Sequence, residues 1–160
     1  MGEIIMSEET IDTKPLRKAV AGFAWENIAR LPYKEAEAAP FKAISRQTLF
    51  SDSRLNGELR YFEIEPGGFS TLERHAHMHG VMVLRGGGEC LIGGAVHRLH
   101  PCDLITIEPW TWHQFRSGRE EPLGFLCLVN SERDKPQLPT AADLALLRAN
   151  PAVARFLDAY

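Results

Sequence analysis

Residues 65–86 read EPGGFSTLERHAHMHGVMVLRG. His75, His77 and His79 stand at every second position, with Glu73 two residues ahead of the first, and an apolar run to Gly86 follows. On an extended chain, side chains at a period of two project from one face. A row of four such polar groups is costly to bury unless something pairs with it. Water, another protein group or a metal ion could be that partner. Neutral imidazole ligates zinc, nickel, copper, iron and manganese, and a carboxylate in the set widens the choice toward manganese and iron. Three or four donors must converge, so a further histidine from a neighbouring strand is expected. His113, in EPWTWHQFRS (108–117), follows a strand, a proline and a tight turn and opens another strand.

The surroundings of this stretch set the fold class. Residues 41–130 are short apolar or alternating runs: AISRQTLF (43–50), GELRYFEIE (57–65), FSTLERH (69–75), HGVMVLRG (79–86), GECLIGG (88–94), AVHRL (95–99), DLITIEP (103–109), HQFRS (113–117) and PLGFLCLVN (122–130). Turn residues recur about every 8–12 positions, which predicts an all-β sandwich or barrel. Residues 1–40 form an acidic, alanine-rich N-terminal arm. There the apolar spacing of LRKAVAGFAWENIARL (16–31) predicts a helix ended by Pro32, although Gly22 interrupts it and FAWENI (23–28) also reads as an edge strand. Residues 131–160 hold a linker, SERDKPQLP (131–139), expected to run extended over the surface, and two short helices. Thr140 with Asp143 three residues on makes a capping box for the first. Asn150-Pro151 breaks it and starts the second with proline in its first turn.

A chain of 160 residues, 44% apolar and 24% charged, is long enough for one domain with its own core. The formal net charge of -3 does not indicate a nucleic-acid partner. No apolar stretch approaches the roughly 20 residues of a membrane span, and the N-terminus lacks a signal-peptide core. Cys90, Cys102 and Cys127 are an odd, widely spaced set, expected as free thiols in a reducing cytoplasm.

The histidine stretch and its partner resemble the two motifs of the cupins, small jelly-roll β-barrels whose motifs share one metal. The first motif is commonly G, five residues, H-x-H, three residues, E, six residues, G. Counted from Gly67 to Gly86 the spacing fits without a gap, with Glu73 and His75 at the H-x-H positions and His79 at the glutamate position. The second motif, G, five residues, P-x-G, two residues, H, three residues, N, falls on Cys102, Glu108, Trp110, His113 and Ser117, of which only the histidine matches. The resemblance covers residues 41–130 and implies a single-domain jelly-roll barrel. It implies a metal held by Glu73, His75, His79 and His113, a permuted set that keeps three nitrogens and one carboxylate. His77 would lie in the turn, facing solvent or substrate. A second register, with His75 and His77 as the H-x-H pair, makes His77 the alternative ligand but leaves too few residues for a hairpin. The expected cofactor is a divalent metal, manganese first, then iron, nickel or zinc. A homodimer, paired through an edge strand or the arm, also follows from the resemblance.

A barrel of this kind encloses a pocket. Phe62, Phe69, Trp110, Trp112, Phe115 and Phe125 are candidate walls, and Trp110 stands where the family has glycine. Arg60 and Arg116 flank motif strands and are the candidates to hold a phosphate or carboxylate; Arg74 and Arg85 read as surface charges. Cys127, in the last strand, is either core filling or a thiol facing the metal. Cys90 reads as structural, Cys102 as exposed, and His97 and His100 as outward. More widely, the sequence resembles a bacterial cupin group that includes a sulfur-salvage enzyme. That enzyme passes the methylthio group of 1-methylthioxylulose 5-phosphate to a thiol such as glutathione, leaving 1-deoxyxylulose 5-phosphate. Cys127 would be the thiol on the protein. A mononuclear iron dioxygenase and a non-catalytic ligand-binding cupin remain alternatives on the same ligand set.

Overall fold

The computed structural model describes residues 14–34 and 39–159. In chain order the elements are β1 (Ala19–Val20), β2 (Ala24–Trp25), β3 (Leu31–Pro32), β4 (Lys42–Asp52), β5 (Gly57–Phe69), β6 (His79–Arg85), β7 (Gly88–Ile92), β8 (Ala95–Leu99), β9 (Leu104–Ile107), β10 (His113–Ser117), β11 (Leu123–Asn130), α1 (Ala141–Arg148) and α2 (Pro151–Asp158). One sheet runs β8-β7-β10-β5-β11-β6-β9, with β4 on β5 and β3 on β4. Every pairing is antiparallel. At 13 residues, β5 is long enough to serve β4, β11 and, at its end, β10. The sheet curls into the expected jelly-roll type of half-barrel with short C-terminal helices.

Alternation sorts the side chains. Phe62 and Ile64 of β5, Val81 and Val83 of β6, Ile105 and Ile107 of β9, Phe115 of β10 and Phe125, Cys127 and Val129 of β11 face one buried core. The rings of Phe62, Phe125 and Phe115 stack in sequence, with centroids 5.5 and 4.6 Å apart. Leu147, Val153 and Phe156 of the two helices pack with Leu91 in a second cluster. The capping box at Thr140 and Asp143 and the proline start of α2 are both present.

The four glycine positions of the motif frame share one backbone property. Gly67, Gly86, Cys102 and Trp110 all have left-handed φ, between 60° and 74°. At Gly86 the requirement is double, because a Cβ there would stand 1.8 Å from the Pro122 carbonyl oxygen. Cys102 and Trp110 keep the turns that the family builds with glycine, at the cost of left-handed strain.

Two expectations are corrected. Residues 16–31 are not a helix: Gly22 (φ 76°) and Phe23 (φ 53°) turn the chain into the β1–β2 hairpin. Its rings cover the sheet instead, Phe23 stacking on buried Tyr61 and Trp25 meeting it edge-on. The edge-strand reading of FAWENI survives in part as β2, and Pro32 lies in β3 rather than ending a helix. FSTLERH is a strand only at Phe69; beyond it the chain is held by single bridges, Glu73 to His113 and Arg74 to Gln137. The segment 131–139 runs extended over the surface as expected, and the Arg74–Gln137 bridge docks it against the histidine stretch. The start of the arm, residues 1–13, lies outside the described residues.

Candidate metal centre

The histidines reach the same end of the barrel by different routes. His79 opens β6 and His113 opens β10. His75 sits on the irregular segment between β5 and β6, so His75, His77 and His79 do not share one strand face as their spacing predicts. Two backbone contacts place that segment. Glu73 and His113 exchange N–H to carbonyl bonds of 3.2 and 3.0 Å, and the Trp110 N–H donates to the His75 carbonyl at 2.7 Å. The left-handed turn at Trp110 thus presents the amide that fixes His75.

One ring nitrogen each of His75, His79 and His113 lies within 4.8 Å of the others. His75 Nε2 and His79 Nε2 are 2.9 Å apart. The remaining nitrogens are engaged: His75 Nδ1 with the His77 carbonyl at 2.8 Å, His113 Nδ1 with the Thr111 carbonyl at 2.9 Å, and His79 Nδ1 with Cys127 Sγ at 3.0 Å. A carbonyl only accepts, so His75 and His113 carry their protons on Nδ1 and leave their Nε2 atoms bare, the arrangement that metal-ligating histidines need. Burial, reinforced by the neighbouring imidazoles, pushes His75 and His113 down to about 4 and His79 to about 2, from 6.5. All three rings are neutral at pH 7. This donor set fits a divalent cation.

Glu73 stands apart from the trio. Its buried carboxylate takes the ammonium of Lys34, and its expected place as a fourth ligand goes to that ion pair. Tyr33, packed edge-on against Phe41 and Phe62, delivers Lys34 to this position. His77 lies in the turn but does not face solvent. Its ring stacks on His75 at 3.6 Å, and its Nδ1 meets Asp134 Oδ1 at 2.7 Å. Asp134 also accepts the backbone N–H groups of Ala76 and His77. His75, His77 and Asp134 form a second group of ligand spacing.

Cys127 faces inward, against His79, with its thiol pushed up to about 12 by burial. Arg60 is its cross-strand partner on the same face. Arg116 is a correction: it lies on the opposite face of β10 from His113. There it bonds Gln114 Oε1 and the Leu157 carbonyl, between the rings of Phe69 and Phe156. Trp110 is half exposed beside the trio, whereas Trp112 stacks under Arg74 and joins the helix cluster. Arg85 joins Glu63 over Phe23. Cys90 is buried in the core; Cys102, His97 and His100 are exposed. An open groove of about 630 Å³ near Gly87, Arg98, His100 and Ser117 lies at the far ends of β6 and β10, away from His75, His79 and His113.

Lys34, Asp134, Arg133 and Glu58 are the neighbours that spacing did not disclose. The first two come from the arm and the linker, outside both motifs. Asp134 and Arg133 lie in the linker expected to run over the surface.

A family model described as Cupin domain matches residues 60–129. A Rhodospirillum rubrum protein named 1-methylthio-D-xylulose 5-phosphate methylsulfurylase is 58% identical over 147 residues, covering 92% of this chain and 94% of its own. The chain belongs to the cupins. A crystal structure of a cupin-2 domain from the same organism is 59% identical, covers 91% of this chain and 97% of its own, and superposes with a TM-score of 0.81. A cupin 2 conserved barrel domain protein from Rhodopseudomonas palustris is 53% identical, with 88% and 97% covered and a TM-score of 0.83. Among the described residues of this cupin, no helix is long and apolar enough to cross a membrane.

Proposed function

We propose that this cupin is a metal-dependent enzyme of sulfur salvage that moves the methylthio group of 1-methylthioxylulose 5-phosphate to a thiol such as glutathione, leaving 1-deoxyxylulose 5-phosphate. The observation that carries the reading is a buried thiol in contact with one of three convergent histidines. The name of the 58% identical relative supports the substrate.

In this reading His75, His79 and His113 hold the metal, with manganese as the expected ion. Bound there, a divalent cation supplies Lewis-acid polarisation of the ketose oxygens and stabilises negative charge as the carbon–sulfur bond breaks. With its Nε2 given to the metal, His79 would carry its proton on Nδ1, facing the Cys127 sulfur. Cys127 rests as a thiol, and His79 Nδ1–H steadies the sulfur as its proton leaves. The sulfur attacks the methylthio sulfur, the carbon–sulfur bond breaks, and C1 takes the proton. Glutathione then takes the methylthio group from Cys127 by thiol–disulfide exchange. Arg60, inward beside Cys127, holds the phosphate, and Trp110 flanks the mouth. Three free cysteines accord with a reducing cytoplasm. A homodimer accords with the apolar outer face of β6, β9 and β11, where Met82, Leu104 and Leu128 are exposed.

Manganese-loaded protein given the methylthio-ketose phosphate and glutathione anaerobically should release 1-deoxyxylulose 5-phosphate and the methylthio–glutathione disulfide. No release, or release only with oxygen uptake, overturns the reading, the latter in favour of a dioxygenase.

A further inference from the structure

Arg60 carries a polar group that nothing among the described residues satisfies. Its side chain is 12% exposed, its Nε donates to Glu58 Oε2 at 2.9 Å, and its Nη2 is buried without a hydrogen-bond partner. A buried guanidinium donor left unpaired is costly and marks a place for an acceptor. The same Glu58 oxygen also receives Arg133 Nη1 at 3.0 Å, while that nitrogen bonds the Asn130 carbonyl at 2.7 Å. One carboxylate oxygen thus serves two guanidiniums, and the group carries a net positive charge.

The position of the pair gives that charge a use. Arg60 lies on the inner face of β5, two residues before core Phe62 and opposite Cys127 in the register with β11. Arg133 follows β11 at the mouth, with its side chain 27% exposed. The two cations therefore step from solvent toward the thiol. Both bias the Cys127 thiol electrostatically, and Arg60 also acts on His79. Planar guanidiniums with unused N–H groups suit a tetrahedral dianion better than a single carboxylate.

We propose that Arg60 and Arg133, bridged by Glu58, form the phosphate subsite for the phosphate-monoester substrate, with Arg133 as its solvent-side half. The inference rests on the function proposed above. An anionic head group could also come from the carboxylates of glutathione, and the test separates the two.

Arg133 is partly exposed, so Arg133→Ala should fold; Arg133→Lys restores charge without the fork. In manganese-loaded full-length protein, inorganic phosphate should compete with the ketose phosphate. Arg133→Ala should raise KM for the ketose phosphate, and Ki for phosphate, by about tenfold or more. It should leave the KM for glutathione within about twofold, and Arg133→Lys should recover part of the loss. An unchanged KM for the ketose phosphate, or a rise confined to glutathione, overturns the subsite. If the wild type turns nothing over, calorimetry with inorganic phosphate decides. Binding weakened in Arg133→Ala keeps the subsite while the reaction fails, and equal or absent binding in both proteins overturns it.

Discussion

Lowering the pH of a metal titration from 7 to 5 separates a buried histidine trio from an exposed one. An imidazole of ordinary pKa, about 6.5, is almost wholly protonated at pH 5, and each such ligand weakens apparent metal affinity about 25-fold relative to pH 7. Three together would cost about 10⁴-fold. Burial holds His75 and His113 near about 4 and His79 near about 2. At pH 5 the first two are protonated in about a tenth of molecules and His79 hardly at all. Manganese affinity should therefore fall by less than about twofold, with proton competition setting in only as pH approaches 4. Competition against a chromophoric chelator at both pH values, corrected for the chelator's own protons, reads this directly. A fall of three orders of magnitude would mean that the rings titrate as if in water, and the buried-ligand argument would be wrong. The same depression has a stability consequence of known sign. The unfolded chain takes up these protons at 6.5 and the native state does not, so metal-free protein should lose stability as pH falls from 6.5 toward 4.

Other positions give independent checks. Gly86→Ala should cost about 3 kcal/mol or more, a drop of roughly 6–12 °C in calorimetric Tm, because strain at positive φ adds to overlap with the Pro122 carbonyl; a shift under about 2 °C would contradict it. Asp134→Ala removes the acceptor for two backbone N–H groups and the His77 ring, and should weaken manganese binding about 10–100-fold with an unchanged circular dichroism spectrum. Cys127→Ser should keep metal content but lose transfer to glutathione in the coupled assay, and transfer at the wild-type rate would remove Cys127 from the chemistry. Thr140→Ala should lower stability by about 1 kcal/mol in urea unfolding, through loss of the capping box.

Elements whose signal is local were legible in the sequence. Seven of the nine candidate strands end within two residues of observed ones, as at Ala95–Leu99 and His113–Ser117, because apolar alternation and turn residues act over a few positions. The helix starts at Thr140 and Asn150 were readable for the same reason. The arm was not. Its apolar residues fit a helical period, but Gly22 turns left-handed and Phe23 and Trp25 find Tyr61, a long-range contact that no window contains. At the site, His75, His79 and His113 were found through motif spacing, although the strand that was to carry His75 stops at Phe69. Glu73 was read as a ligand because Lys34, 39 positions away, could not be seen as its partner. Arg116 was misjudged by parity: an odd separation from His113 puts it on the other face of β10. Asp134 and Arg133 lay hidden in a segment whose prolines and charges suggested only solvent.

The central claim is that His75, His79 and His113 close on one divalent cation. Metal analysis of wild-type protein and the His113→Ala variant, both purified without chelator, tests it most directly. The account predicts about one equivalent of a divalent metal in the wild type and a loss of most of it in the variant, with the fold intact by circular dichroism. A wild type without metal, or a variant that keeps its full equivalent, would contradict it.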